Sequence, residues 1–194
     1  MLLTEPITLE NDWVRLEPLS PDHADDLGDA TEGLEYAWYT SAPTREQIPD
    51  EIGRRLTWQT EGHMNAWVVR RLATGRAVGM TTFCNIDQAN RHVEIGHTWL
   101  GRSAQRTEVN TAAKLLLLGH AFEACDAIAV ELRTHWHNRQ SREAIARLGA
   151  KQDGVLRNHR LGPDGTLRDT VVFSILPHEW PAVRLGLQER LARH

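Results

Sequence analysis

The chain has 194 residues, long enough for one domain (1–194) with a sizeable core and short for two. Hydrophobic residues make up 41%, which excludes a disordered chain, and a net charge of −4 gives no general basic field for nucleic acid or anionic lipid. The longest aliphatic run, Leu115–Leu118, is far too short to cross a bilayer, so no membrane partner is expected.

Met1–Pro6 has neither a basic region nor a long apolar stretch and does not read as a secretory signal. Trp13–Leu19 reads as a strand, and Ser20-Pro21-Asp22 as the start of a helix over His23–Thr31. Thr44-Arg45-Glu46-Gln47 has capping-box spacing and opens a second helix reaching Thr60. Strands follow at 66–72, 77–86 and 92–100, rich in Val, Ile, Thr and Trp. A polar loop, 101–110, leads into an apolar-striped helix over 111–125. A strand at 128–134, a helix at 138–148 closed by Gly149, and strands near 155–161 and 170–176 complete the pattern. Gly162-Pro163-Asp164-Gly165 marks a hairpin turn between the last two, and Pro177 starts a terminal helix. This order predicts a mixed α/β sheet covered by helices. Cys84 and Cys125 sit in apolar surroundings and read as small buried hydrophobes of a reducing cytoplasm, where the protein is expected to act.

The chemistry concentrates on the strand 92–100, its loop and the next helix. Alternation sends Val93 and Ile95 to one face and His92 and Glu94 to the other, and Gly96 in mid-strand marks a bulge or a close backbone approach. Glu94, a carboxylate able to accept a proton, suits a general base; the plainer reading is an exposed glutamate paired with Arg70, Arg71 or Arg91. His97 is the rival base, because an unperturbed imidazole titrates near neutrality. The loop 101–110 brings backbone N–H groups to a helix start, with Arg102, Arg106 and Lys114 adding charge, a natural anion site. Every helix has such a start, however, and Asn110 could simply cap this one. Asn138 also reads as a cap, with Ser141 one turn on and facing the same way. His135 and His137 alternate on one expected strand and His92 and His97 lie on another, but no metal-ligand spacing accompanies them and no metal is expected. Neither cysteine stands beside a paired base, which argues against a cysteine nucleophile.

His92–Leu100, Gln105–Asn110 and Asn138–Ala150 resemble the GNAT N-acetyltransferases, and within them the RimJ/RimL-type enzymes that acetylate N-terminal amines of ribosomal proteins. Asp153–Arg157, Asp164-Gly165, Arg168-Asp169 and Glu179-Trp180-Pro181 extend the likeness. The resemblance implies a GNAT fold: an α/β, mostly antiparallel sheet splayed after its fourth strand, with flanking helices and acetyl-CoA wedged in the opening. It implies a cosubstrate site drawn from Trp99, Leu100, the loop Gln105, Arg106, Thr107, Glu108, Val109, Asn110 and Thr111, and the pair Asn138 and Ser141. Glu94 or His97 would be the base, a backbone N–H near Trp99 or Leu100 would hold the oxyanion, and Ser141 would protonate the leaving thiolate. Trp38 and Tyr39 are the expected acceptor wall, and Trp58 the expected core aromatic. The acceptor is an amine, as a protein N-terminus or a small amine such as an antibiotic. A CoA-binding domain with weak turnover is the other alternative, and homodimerisation is left open. One departure stands out: Glu108 and Asn110 occupy positions where the family has small residues. A left-handed glycine position there would strain Glu108 and set its charge against the diphosphate.

Overall fold

A computed structural model describes residues 1–35, 42–162 and 164–193. In chain order the elements are β1 (Leu9–Glu10), β2 (Val14–Pro18), α1 (Ala24–Ala30), α2 (Ile48–Thr60), β3 (Met64–Arg71), β4 (Arg76–Asp87), β5 (His92–Leu100), α3 (Val109–Gly119), β6 (Ala129–His135), α4 (Arg139–Leu148), β7 (Lys151–Leu161), β8 (Leu167–Ile175) and α5 (Trp180–Leu191). The expected starts are present: Pro21–His23 forms a tight turn running into α1, and the Gln47 side chain reaches back to the Thr44 N–H at 2.9 Å.

Several boundaries depart from the sequence pattern. The two-residue β1, paired with Leu16 and Arg15, is too short for alternation to reveal. Helix α3 begins at Val109 rather than 111, so Asn110 lies inside its first turn and is not the cap. At His120 the α3 ladder widens into a π turn, closed by Cys125 N–H donating to the His120 carbonyl at 3.1 Å. Strand β7 starts at Lys151 rather than near 155, and α5 at Trp180 rather than at Pro177. Strand β6 ends at His135; His137 lies in the turn beyond, its N–H donating to His135 Nδ1, so the two do not alternate on a strand face.

The strands form one sheet in the order β1-β2-β3-β4-β5-β6-β8-β7, antiparallel throughout except at β5–β6. That parallel ladder spans only His92↔Ala129, Val93↔Val130 and Glu94↔Glu131. Beyond Glu94, β5 stays with β4, while beyond Glu131, β6 stays with β8 as far as His135↔Thr170. The sheet is therefore splayed at this point, after the fourth strand when the short β1 is left uncounted. A bulge in β5 accompanies the parting: the register steps from Met80↔Trp99 to Thr82↔Gly96, so His97 and Thr98 together oppose Thr81. His97 holds a left-handed φ of +47° there.

Helices cover both faces. Val93, Ile95, Val130 and Leu132 join the core under α3, α4 and α5, whereas Met80, Cys84 and Trp99 join the core under α1 and α2. Alternation then assigns Glu94, Glu131, Arg133 and His135 to the α1/α2 face of the parted strands. Both cysteines are buried and unbridged.

Candidate active site

The parting of β5 and β6 leaves a cleft of about 710 Å³ lined by Glu94–Leu100 on one side, Leu132–His135 on the other, and side chains from α3, α4, β7 and β8. A second hollow of about 440 Å³ shares His97, Thr98 and Trp99 with it and is floored by α2.

Glu94 is buried rather than exposed. Its Oε2 accepts 2.7 Å from Asn85 Nδ2, and Arg133 Nε stands 3.5 Å away. Two of the sequence's alternative partners are engaged elsewhere, Arg70 with Glu17 and Asp26 and Arg71 with Glu108, and Arg91 makes no ion pair with Glu94. Asn85 reaches the carboxylate from an irregularity in β4, where it adopts a φ of +48° that asparagine tolerates. Burial raises the Glu94 carboxyl above the ordinary glutamate range, against the opposing pull of Asn85 and Arg133.

Gly96 meets both sequence expectations, adjoining the bulge and permitting a close approach. A Cβ there would lie 2.8 Å from Cys84 Sγ and 2.9 Å from Glu94 Oε1. Cys84 is held in the core while the Glu94 carboxylate borders the cleft, so Gly96→Ala is expected to displace the carboxylate into the cleft at a cost of about 1–3 kcal/mol. Thermal melting and kcat should fall together; a variant with normal melting and normal turnover would refute the tight contact. Burial and the Glu94 charge push the Cys84 thiol up to about 12, so it is inert as a nucleophile.

His97 lies on the same side but in a different electrical setting. Crowding by surrounding atoms, then the Arg55 and Arg54 charges, lower its pKa to about 4. The residue is exposed to solvent, which moderates the desolvation, while the arginines keep the direction downward. Arg55 is itself buried; it donates Nε to Glu51 at 2.6 Å and Nη2 to the His97 carbonyl at 3.0 Å, tying α2 to the bulge. Trp58 stands edge-on to the His97 ring at 6.1 Å and packs against the α1/α2 core, as expected. The proposed wall residues Trp38 and Tyr39 lie outside the described residues.

On the other face, the phosphate-type loop differs from its sequence reading. Glu108 has an ordinary φ of −62° and precedes α3 directly, so no glycine conformation is demanded of it. Its carboxylate is held 2.8 Å from Arg71 Nη2, which neutralises the repulsion expected toward a diphosphate. The left-handed residue is Arg106, at φ +60°. Val109 N–H donates to Thr107 Oγ1 at 3.3 Å, and Ala112 N–H makes the first α3 bond, to Glu108. The amides of Asn110 and Thr111 thus have no acceptor within their helix. Gln105 Nε2 donates 3.0 Å to the Leu100 carbonyl. Because Gly101 N–H donates to Val78 on β4, alternation turns the Leu100 N–H and carbonyl the other way, into the parting.

Of the expected cosubstrate residues, Trp99, Leu100, Gln105, Asn110, Asn138 and Ser141 line the cleft, whereas the side chains of Arg106, Thr107, Glu108, Val109 and Thr111 do not. Asn138 caps α4, its Oδ1 accepting from Ser141 N–H at 3.0 Å. Lys114 is more than a nearby charge: it is buried on α3 where it lines the cleft, donates Nζ to Thr98 Oγ1 at 3.2 Å, and burial lowers its pKa to about 8. A cradle with two spare amides, a buried cation and a capped α4 start fits an elongated anionic cosubstrate.

A family model described as the acetyltransferase (GNAT) domain matches residues 14–151. The chain belongs to the GNAT acetyltransferases. Among curated proteins it is similar to YdaF of Bacillus subtilis (strain 168), provisionally named a ribosomal N-acetyltransferase, with 33% identity over 109 residues. That alignment spans 56% of this chain and 58% of the relative, little more than half of its length. Among solved structures, a GCN5-related N-acetyltransferase from Brucella melitensis superposes with a TM-score of 0.85 at 29% identity, covering 95% of this chain and 85% of that one. A T. thermophilus protein, provisionally named an acetyltransferase, gives 0.81 at 32% identity over 96% and 98% of the two chains. Within this GNAT domain, sequence reasoning missed Asn85, Arg133, His159 and Arg160 as cleft residues. They come from β4, β6 and the β7–β8 hairpin, and only the pairing of distant strands brings them to Glu94.

Proposed function

We propose that this GNAT domain uses acetyl-CoA to acetylate a primary amine, with a protein or peptide N-terminus as acceptor, by direct attack in a ternary complex. The observation that carries the reading is a buried carboxylate on one face of a parted sheet, opposite two helix starts with spare donors on the other. Glu94 takes a proton from the acceptor's ammonium, directly or through water, freeing the amine lone pair for attack, and its raised pKa suits the task. The Leu100 N–H faces the place where charge develops on the thioester oxygen. Ser141 returns a proton to the departing sulfur, and Asn138 and the α3 amides hold the pantetheine and diphosphate portions. Glu108, neutralised by Arg71, gives no reason to expect a domain that binds CoA without turning it over.

Intact-mass measurement of peptides with free N-termini and of small amines, each incubated with acetyl-CoA, tests the reading. The expected result is a gain of one acetyl group on peptides, absent with boiled protein. Acetylation confined to small amines would replace the acceptor, and no transfer to any amine would remove the activity.

Asn138→Asp separates anchoring from capping. Aspartate caps as well as asparagine, so the melting temperature should hold, while losing the Nδ2 donor should weaken CoA binding several-fold. Equal affinity in a CoA titration would leave Asn138 with the capping role alone.

A further inference from the structure

The α1/α2 face of the cleft carries a concentration of positive charge that the reaction as described does not use. Arg160 on β7 and Arg168 on β8 are direct cross-strand partners, so their side chains share a face. Like charges placed opposite one another in a ladder are destabilising. Neither makes an ion pair among the described residues; Arg168 Nε donates 3.2 Å to Thr170 Oγ1. Beside them, the register slips between Leu156 and Arg160, with Asn158 at φ +48°, and this irregularity turns His159 into the same cleft, Nδ1 at 3.1 Å from Thr170 Oγ1. Arg133 and His135 continue the cluster along β6.

The acids nearby are already engaged or lie at the margin. Glu94 is bound by Asn85 and Arg133, and Glu131 is held by Arg133 and His92. Asp169 pairs with Arg157, Asp164 accepts from Thr166, and Glu35 is exposed. Burial and then the Arg160 charge lower the Arg168 pKa against a weaker opposing pull from Glu94, which Arg160 also faces, and burial followed by Arg160, Arg133 and Arg168 lowers that of His159. This group of side chains stands across the sheet from α3, whose start holds the donors assigned to the diphosphate, so the cofactor's own phosphates do not account for it.

We propose that Arg160 and Arg168, with His159 beside them, select an acceptor that carries a carboxylate or phosphate close to its reactive amine. The inference rests on the acetyltransfer reading above and names the chemistry of its acceptor. Guanidinium groups bind such anions in a planar, two-point fashion, and an anion seated between the two would remove their mutual repulsion. The same chemistry is offered by acidic side chains following a peptide N-terminus and by the acid group of a small amino acid.

The test compares kcat/KM for matched acceptors. One series is C-terminally amidated peptides differing only in Glu-Glu against Gln-Gln after the N-terminal residue; the other is an α-amino acid against its amide. In the wild type the anionic member of at least one series should be preferred tenfold or more, and the preference should shrink with added salt. Preference confined to the peptides identifies acidic N-termini as the source; preference confined to the amino acid identifies a small acid. In Arg160→Gln, Arg168→Gln and the double variant the preference should fall stepwise toward unity, through KM for the anionic acceptor. Equal rates on both members of both series would overturn the inference while leaving acetyltransfer intact. Weaker CoA binding in these variants would assign the pair to the cofactor and also overturn it. Transfer to no acceptor in either series would overturn both readings.

Discussion

Glu94→Gln is expected to lower kcat by about 10²-fold or more at neutral pH, the usual scale for losing a general base. Glutamine keeps the shape and the contact with Asn85 but cannot accept a proton. The loss should narrow at high pH, where the amine arrives already neutral, and the wild-type acidic limb should lie above the ordinary glutamate range because burial raises this carboxyl. Stability should move the other way. A carboxyl whose pKa is raised on folding contributes stability below its unfolded pKa, and that contribution is lost as pH rises through the folded value. At neutral pH the wild type therefore carries a buried charge at some cost, and Glu94→Gln should melt no lower than wild type. A drop in turnover accompanied by a drop in melting temperature would make the residue structural. His97→Gln supplies the contrast: an imidazole lowered to about 4 is a weak acceptor of an ammonium proton, so its loss should cost far less turnover. Abolished turnover in His97→Gln with near-normal Glu94→Gln would reverse the assignment.

Glu51→Ala should be the most destabilising of these changes, by about 3–5 kcal/mol, because it strands a buried guanidinium. Arg55 is 2% exposed, and its Nη1 has no hydrogen-bond partner among the described residues. Among the described residues Glu51 supplies the carboxylate that pairs with its charge, and the same guanidinium fixes the His97 carbonyl at the bulge. Chemical denaturation should show the loss. The double variant Glu51→Ala/Arg55→Met, which removes the charge as well, should recover much of it; recovery of nothing would show that the charge was never the cause.

Much of this was legible in residues taken locally. The alternation of 92–100 correctly separated Val93 and Ile95 from Glu94, and Gly96 announced both the bulge and the close approach. The Asn138–Ser141 spacing gave a real cap. What escaped depends on where distant segments meet. Glu108 looked strained and repulsive because its motif position suggested a glycine; in the fold the left-handed turn falls on Arg106, and Arg71, from the end of β3, meets the carboxylate. Lys114 occupies a helix position indistinguishable by pattern from a surface lysine, and only the gap beneath α3 makes it a buried one. Arg160 and Arg168 were separate members of a polar hairpin until register set them opposite each other.

The bulge at His97–Thr98 has a second consequence, for the life of the chain before it is finished. Strand β5 is made well before β6, and even in the completed fold its far half pairs on one side only. Bare strand edges are where one copy of a protein zips onto another, and natural sheets guard them with kinks and inward charges. Here the bulge bends the edge out of register with any straight strand, and Lys114 sits beside it at Thr98. The distortion that opens the cleft is also what denies its edge to a second polypeptide, so straightening it would trade an open cleft for an aggregating edge.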